Sequence, residues 1–85
     1  MEYGLVIKVG DKQRTVTDRD GKPVTTSADN DISARKGLMF RFRRERLYGK
    51  YMDWANTELE CMGDGGVTSA SIERYVDLVQ LSSSG

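Results

Sequence analysis

Tyr3, Leu5, Ile7 and Val9 alternate with Gly4, Val6 and Lys8 near the N-terminus. A period of two with β-branched side chains is the pattern of a half-buried strand, one face toward a core and one toward water. Gly10-Asp11-Lys12 reads as a turn, and Gln13 to Asp18 carries Thr15-Val16-Thr17, a second strand. Asp20-Gly21 is the strongest short hairpin signal in the chain. Pro23-Val24-Thr25-Thr26 then returns as a short edge strand, because proline has no N–H for a ladder. The first third is therefore expected to form an antiparallel meander, and the rest of the chain has to cover its apolar face.

Leu38 to Arg43 alternates again, with Leu38, Phe40 and Phe42 inward and Met39, Arg41 and Arg43 outward, and predicts a fourth strand. Ser27 to Gly37 reads as one or two helical turns or a loop. Ser27 offers a cap, Asp29 and Asp31 stand in a first turn, and Arg35-Lys36 stand in a last turn before Gly37. That order of charge complements a helix dipole. From Glu45 to Met62 the apolar residues Leu47, Tyr48, Tyr51, Met52, Trp54, Ala55, Leu59, Cys61 and Met62 fall within an arc about 180° wide at ~100° per residue, the mark of an amphipathic helix stopped by Gly63. The rival is a hairpin pairing Tyr48–Trp54 with Thr57–Met62. So wide an arc exceeds what one sheet face needs, which makes a homodimer, a second copy of the chain, an expected neighbour. Gly63 to Gly66 is a connector, and Ile72, Tyr75, Val76 and Val79 recur at i, i+3, i+4 and i+7 as a short helix. The expected fold class is α+β: a small antiparallel β-meander of about four strands packed against one long and one short C-terminal helix. A single domain is expected over residues 1–81, with a tail at 82–85.

The chain has 85 residues, one cysteine and no histidine. A core of this size is modest, and the residue inventory excludes histidine-based triads, histidine metal sites, Cys₄ or Cys₂His₂ zinc clusters and an intramolecular disulfide. No basic, uninterrupted apolar leader opens the sequence, and no stretch approaches the roughly 20 apolar residues of a membrane span. A cytoplasmic location is expected, since small secreted domains lean on disulfides.

Candidate chemistry is sparse. Asp18 and Asp20 lie in the hairpin turn, where aspartate serves local hydrogen bonds, and the other ligands of a calcium loop are missing. Glu58 and Glu60 diverge by about 200° on a helix and cannot share a site. Cys61 falls on the apolar arc and is expected to be buried and inert. Gly63, Gly65 and Gly66 lack the Lys-Ser/Thr that completes a P-loop. Asp31-Ile32-Ser33 followed by Gly37 resembles the Asp-x-Ser-x-x-Gly string of PilZ cyclic-dinucleotide receptors. Its spacing is one residue longer, and the upstream Arg-x-x-x-Arg element is absent, Arg14 and Arg19 being five apart, so the chain is not assigned to that family.

Charge is balanced overall, 13 basic against 13 acidic groups, but segregated. Residues 35–50 hold Arg35, Lys36, Arg41, Arg43, Arg44, Arg46 and Lys50 against Glu45 alone, while residues 51–85 hold Arg74 against six acids. Arg43, Arg44 and Arg46 would sit at the start of the predicted long helix, where positive charge opposes the dipole by about 0.3–1 kcal/mol each. That unfavourable placement points to an outward role. The expected function is a non-enzymatic small binding protein (a regulator, inhibitor or adaptor) that docks a protein partner, acidic or nucleic-acid-associated, through Arg35, Lys36, Arg41, Arg43, Arg44, Arg46 and Lys50. The alternative is a nucleic-acid module using the same arginines on phosphates. A third outcome is internal pairing of these groups with the acidic C-terminal third. No cofactor, metal or membrane is expected as a partner.

Overall fold

The alternating N-terminal segment becomes β1, Glu2–Val9, the middle strand of a four-stranded antiparallel sheet. The computed structural model describes residues 1–63 and 65–82. β1 is followed by β2, Lys12–Thr15, and β3, Thr25–Ser27. Then come helix α1, Asp31–Arg44, a 3-10 helix at Leu47–Lys50, helix α2, Met52–Cys61, a second 3-10 helix at Ser71–Tyr75, and β4, Val76–Ser82. The protein is α+β, as its sequence suggests.

Both edges of β1 are occupied. β4 runs along Glu2 to Ile7, in a register that sets Leu5 opposite Leu78 and Val6 opposite Asp77. β2 pairs with Val6–Val9 and β3 with Glu2–Gly4, so these two lie end to end on the other edge. Between them the chain makes a short excursion. Val16 N–H donates to the Leu5 carbonyl at 2.9 Å, and Val24 N–H donates to the Val16 carbonyl at 3.1 Å. At the tip, Asp18 Oδ1 accepts the N–H groups of Asp20 and Lys22, and Gly21 takes φ +85°, a conformation that glycine adopts without a Cβ penalty. Turn chemistry accounts for the Asp18 carboxylate.

Tyr3, Leu5, Ile7 and Val9 are buried in one core with Ala34, Leu38, Met39 and Phe42 of α1 and Ala55 and Leu59 of α2. Both helices therefore lie on the face that the odd-numbered residues of β1 present. Gly4 belongs to the opposite face, where a Cβ would meet Leu81 Cδ1 at 3.2 Å.

Three expected elements are replaced. The segment Leu38–Arg43 is not a strand but the second half of α1, which is capped three residues after Ser27 by Asn30, whose Oδ1 accepts Ser33 N–H at 2.9 Å. The spacing Ala34, Leu38, Phe42 satisfies a helix as well as Leu38, Phe40, Phe42 satisfies a strand, and only the former buries a face against β1. The single helix expected from Glu45 to Met62 is broken, because α1 already runs to Arg44 and the chain must reverse. It does so at Arg46, in the left-handed region at φ +52°. Within the remainder, Met52–Cys61 is helical, the rival hairpin does not form, and Gly63 follows at φ +81° as the expected stop. Finally, Ile72 to Val79 is not a C-terminal helix. A 3-10 helix carries Ile72 into the core, and from Val76 the chain adds the strand that the free edge of β1 requires. The helices are thus central in the chain, and a strand comes after them. Ser82 ends β4, and the rest of the expected tail, residues 83–85, lies outside the described residues.

Gly37 sits in the middle of α1 with nothing within 4 Å of a Cβ built there. Glycine in a helix interior is less favourable than alanine by roughly 0.5–1 kcal/mol. Gly37→Ala should therefore raise the melting temperature by about 4–8 °C per kcal/mol gained, measured by thermal circular dichroism.

Candidate functional site

The seven basic residues singled out by the sequence fall into two groups. Arg41 Nε donates to Glu45 Oε2 at 2.6 Å, and its Nη2 lies 3.5 Å from Asp18 Oδ2. Arg43 forks onto Glu73, with Nε at 3.1 and 3.0 Å from the two carboxylate oxygens and Nη2 at 2.6 Å from Oε1. Lys50 Nζ donates to Thr17 Oγ1 at 2.6 Å and to the Asp18 carbonyl at 2.7 Å. These three tie α1 and its following turn to the hairpin excursion and to the second 3-10 helix. Arg35, Lys36, Arg44 and Arg46 are exposed and have no hydrogen-bond or ion-pair partner among the described residues. The basic middle and the acidic end of the chain therefore do meet, but chiefly at Arg43 and Glu73.

The arginines expected at an unfavourable helix start do not stand at one. Arg41, Arg43 and Arg44 occupy the last turn of α1, where positive charge complements the dipole. Arg41 and Arg43 also do not share a strand face; on a helix, residues two apart point about 200° away from each other.

The same geometry relocates Phe40. Placed inward as a strand residue, it is instead 62% exposed, because α1 buries Leu38 and Phe42 and turns residue 40 outward. Ile32 is 80% exposed. Ile32, Lys36, Phe40 and Arg44 form one i, i+4 row on the outer surface of α1. Ile32 and Phe40 are eight residues, or about 12 Å, apart along the helix axis. Beside this row a shallow cleft of about 420 Å³ is lined by Ile32, Arg35, Lys36, Met39 and Arg43. The helical spacing of Ala34, Leu38 and Phe42 after a capping Asn30 is the signal that places Phe40 outside.

Other expectations change with the break at Arg46. Leu47, Tyr51, Ala55 and Leu59 are buried within one chain, so this part of the apolar arc that suggested a second copy covers the molecule's own core, while Cys61 and Met62 of the same arc are exposed. Trp54 is half-buried, and Cys61 is exposed and not buried. Among the described residues, no three His, Cys, Asp or Glu side chains gather as metal ligands, and no helix is long and apolar enough to cross a membrane. Comparison with protein families, with curated proteins and with solved structures returns no match for this chain.

Two carboxyls are held below their ordinary values. Glu73 is lowered from 4.5, first by its hydrogen bonds from Arg43, against a counteracting desolvation. Asp18 is lowered from 3.8, first by the Lys22 N–H, with Arg41 adding to it. Arg43 is correspondingly pushed up by Glu73. A depressed carboxyl binds its proton more weakly in the folded state, so the stability it contributes is present above the ordinary value and lost as pH falls below it. The urea midpoint should fall between about pH 7 and about pH 3 in the unmodified protein. Glu73→Gln should lower the midpoint at neutral pH and make the acid drop smaller, as read by tryptophan fluorescence.

Proposed function

We propose that this protein is a non-enzymatic binding module, a small regulator, inhibitor or adaptor, that docks an acidic protein surface on the outer face of α1. The observation that carries this reading is the exposure of Ile32 and Phe40 in one row with Lys36 and Arg44. Isolated apolar residues on a surface need no explanation, but two large ones on one helix face, framed by cations that have no partner among the described residues, match the anchor-and-rim composition of a protein interface. The contacting set shifts accordingly from the seven basic residues to Ile32, Arg35, Lys36, Phe40 and Arg44. Arg41 and Arg43 act at home, on Asp18, Glu45 and Glu73. Protein is favoured over nucleic acid because Ile32 offers no flat face for a base and because the chain as a whole carries no net charge. The absence of histidine and the engagement of Asp18 in a turn support a role without catalysis. A reducing cytoplasm is the compartment most in keeping with a single cysteine.

The test is affinity capture from native cell extract, with and without nuclease, using the unmodified protein and an Ile32→Ser, Phe40→Ser variant. Both positions are exposed, so melting should move by less than about 0.5 kcal/mol. A captured protein should survive nuclease and bind the variant at least about 30-fold more weakly, corresponding to loss of a hot spot of about 2 kcal/mol. Capture that vanishes with nuclease, or that the variant retains in full, overturns the reading.

A further inference from the structure

A second cleft, of about 380 Å³, lies away from the outer face of α1 and is lined by Arg14, Thr15, Thr17, Lys50 and Tyr51. Two cations border it, and each is held in place by a neutral group. Lys50 Nζ is fixed by Thr17 Oγ1 and the Asp18 carbonyl, which use two of its three N–H donors. The Arg14 guanidinium carbon stands 5.0 Å from the ring centre of Trp54, and none of its N–H groups has a protein acceptor among the described residues. The wall between them is rigid. Tyr51 hydroxyl donates to the Thr15 carbonyl at 2.9 Å and accepts the Thr17 N–H at 2.7 Å, which pins the end of β2 to the start of α2.

What distinguishes this pair from Arg41 and Arg43 is that, among the described residues, neither has a carboxylate in contact. Arg41 and Arg43 each face carboxylates. Among the described residues no carboxylate lines the second cleft, and Asp18, whose carbonyl holds Lys50, directs its carboxylate to the turn N–H groups and toward Arg41. Two ordered positive groups with unused donors over an open cleft form a preorganised receptor for a dianion. A planar fork and a point charge suit the oxygens of a phosphate better than a single carboxylate, which would leave one cation uncompensated.

We propose that the cleft between β2 and the Leu47–Lys50 turn binds a phosphate group, free or as the monoester of a small molecule, through Arg14 and Lys50. This site is independent of the docking face on α1, with which it shares no residue.

The test is a titration of the isotope-labelled full chain with inorganic phosphate and, in a second arm, with adenosine monophosphate, each at constant ionic strength against chloride. Amide resonances of Thr15, Thr17, Lys50 and Tyr51 should shift and saturate with phosphate and not with chloride. Tighter binding in the second arm would assign the ester as the source, and equal binding the free ion. Arg14→Gln and Lys50→Gln should each weaken binding about tenfold, as expected for one charge-assisted contact. Lys50 also braces the hairpin, so Arg14→Gln, on an exposed strand position, serves as the folding-neutral variant. Shifts that fail to saturate in both arms, that chloride reproduces, or that Arg14→Gln leaves unchanged would overturn the proposal.

Discussion

The structure depends on β1 having a strand on each edge. Its run from Tyr3 to Ile7 is buried on every residue, so each backbone N–H and C=O along it needs a partner within the protein. One edge is filled locally, by a chain that turns at Gly10 and passes along β1 twice, first as β2 and then as β3. The other can be filled only from far away in sequence, and β4 fills it. Everything between Asn30 and Tyr75 has to leave the sheet, cover its apolar face and bring residue 76 back beside Ile7.

That requirement explains which parts of the fold are legible in the sequence. Strand β1, the turn at Asp20-Gly21 and the helical stop at Gly63 are local signals, and each holds. The segment around Phe40 is ambiguous because Leu38 and Phe42 fit both periods. Its outcome rests on Asn30 starting a helix early enough to make them neighbours on one face. Residues 76–82 are decided by tertiary pairing. Val76 and Val79 fit a helical face, but the ladder offered by β1 outweighs that weak local preference. An exchange of period of this kind moves a side chain between core and solvent, which is why Phe40 emerges on the surface. Cys61, by contrast, is exposed because it lies at the edge of the apolar arc of α2, away from buried Ala55 and Leu59.

The basic residues depend on tertiary structure in the same way. Counted along the chain they form one block, yet the fold distributes them among three roles. Arg41 and Arg43 brace α1 against the hairpin and the C-terminal 3-10 helix, Lys50 caps the hairpin's backbone, and Arg35, Lys36 and Arg44 stand exposed around Ile32 and Phe40 with no partner among the described residues. Charge in a linear segment says how many cations are available. Whether a carboxylate from elsewhere reaches them is a property of the folded chain alone, and the Glu73 carboxylate, thirty residues from Arg43, has no local signature.

The pairing of Ile7 with Val76 and of Glu2 with Ser82 also bears on how the molecule is made. Long sequence separation between contacting residues slows folding, because a large loop must close before the contact offsets the entropy lost. During synthesis the opening strand leaves the ribosome with one flank bare, and it stays so until residues 76–82 have cleared the exit tunnel. The nascent chain can assemble its first hairpin and its helices in that interval, but the sheet is completed only after translation has passed its closing strand.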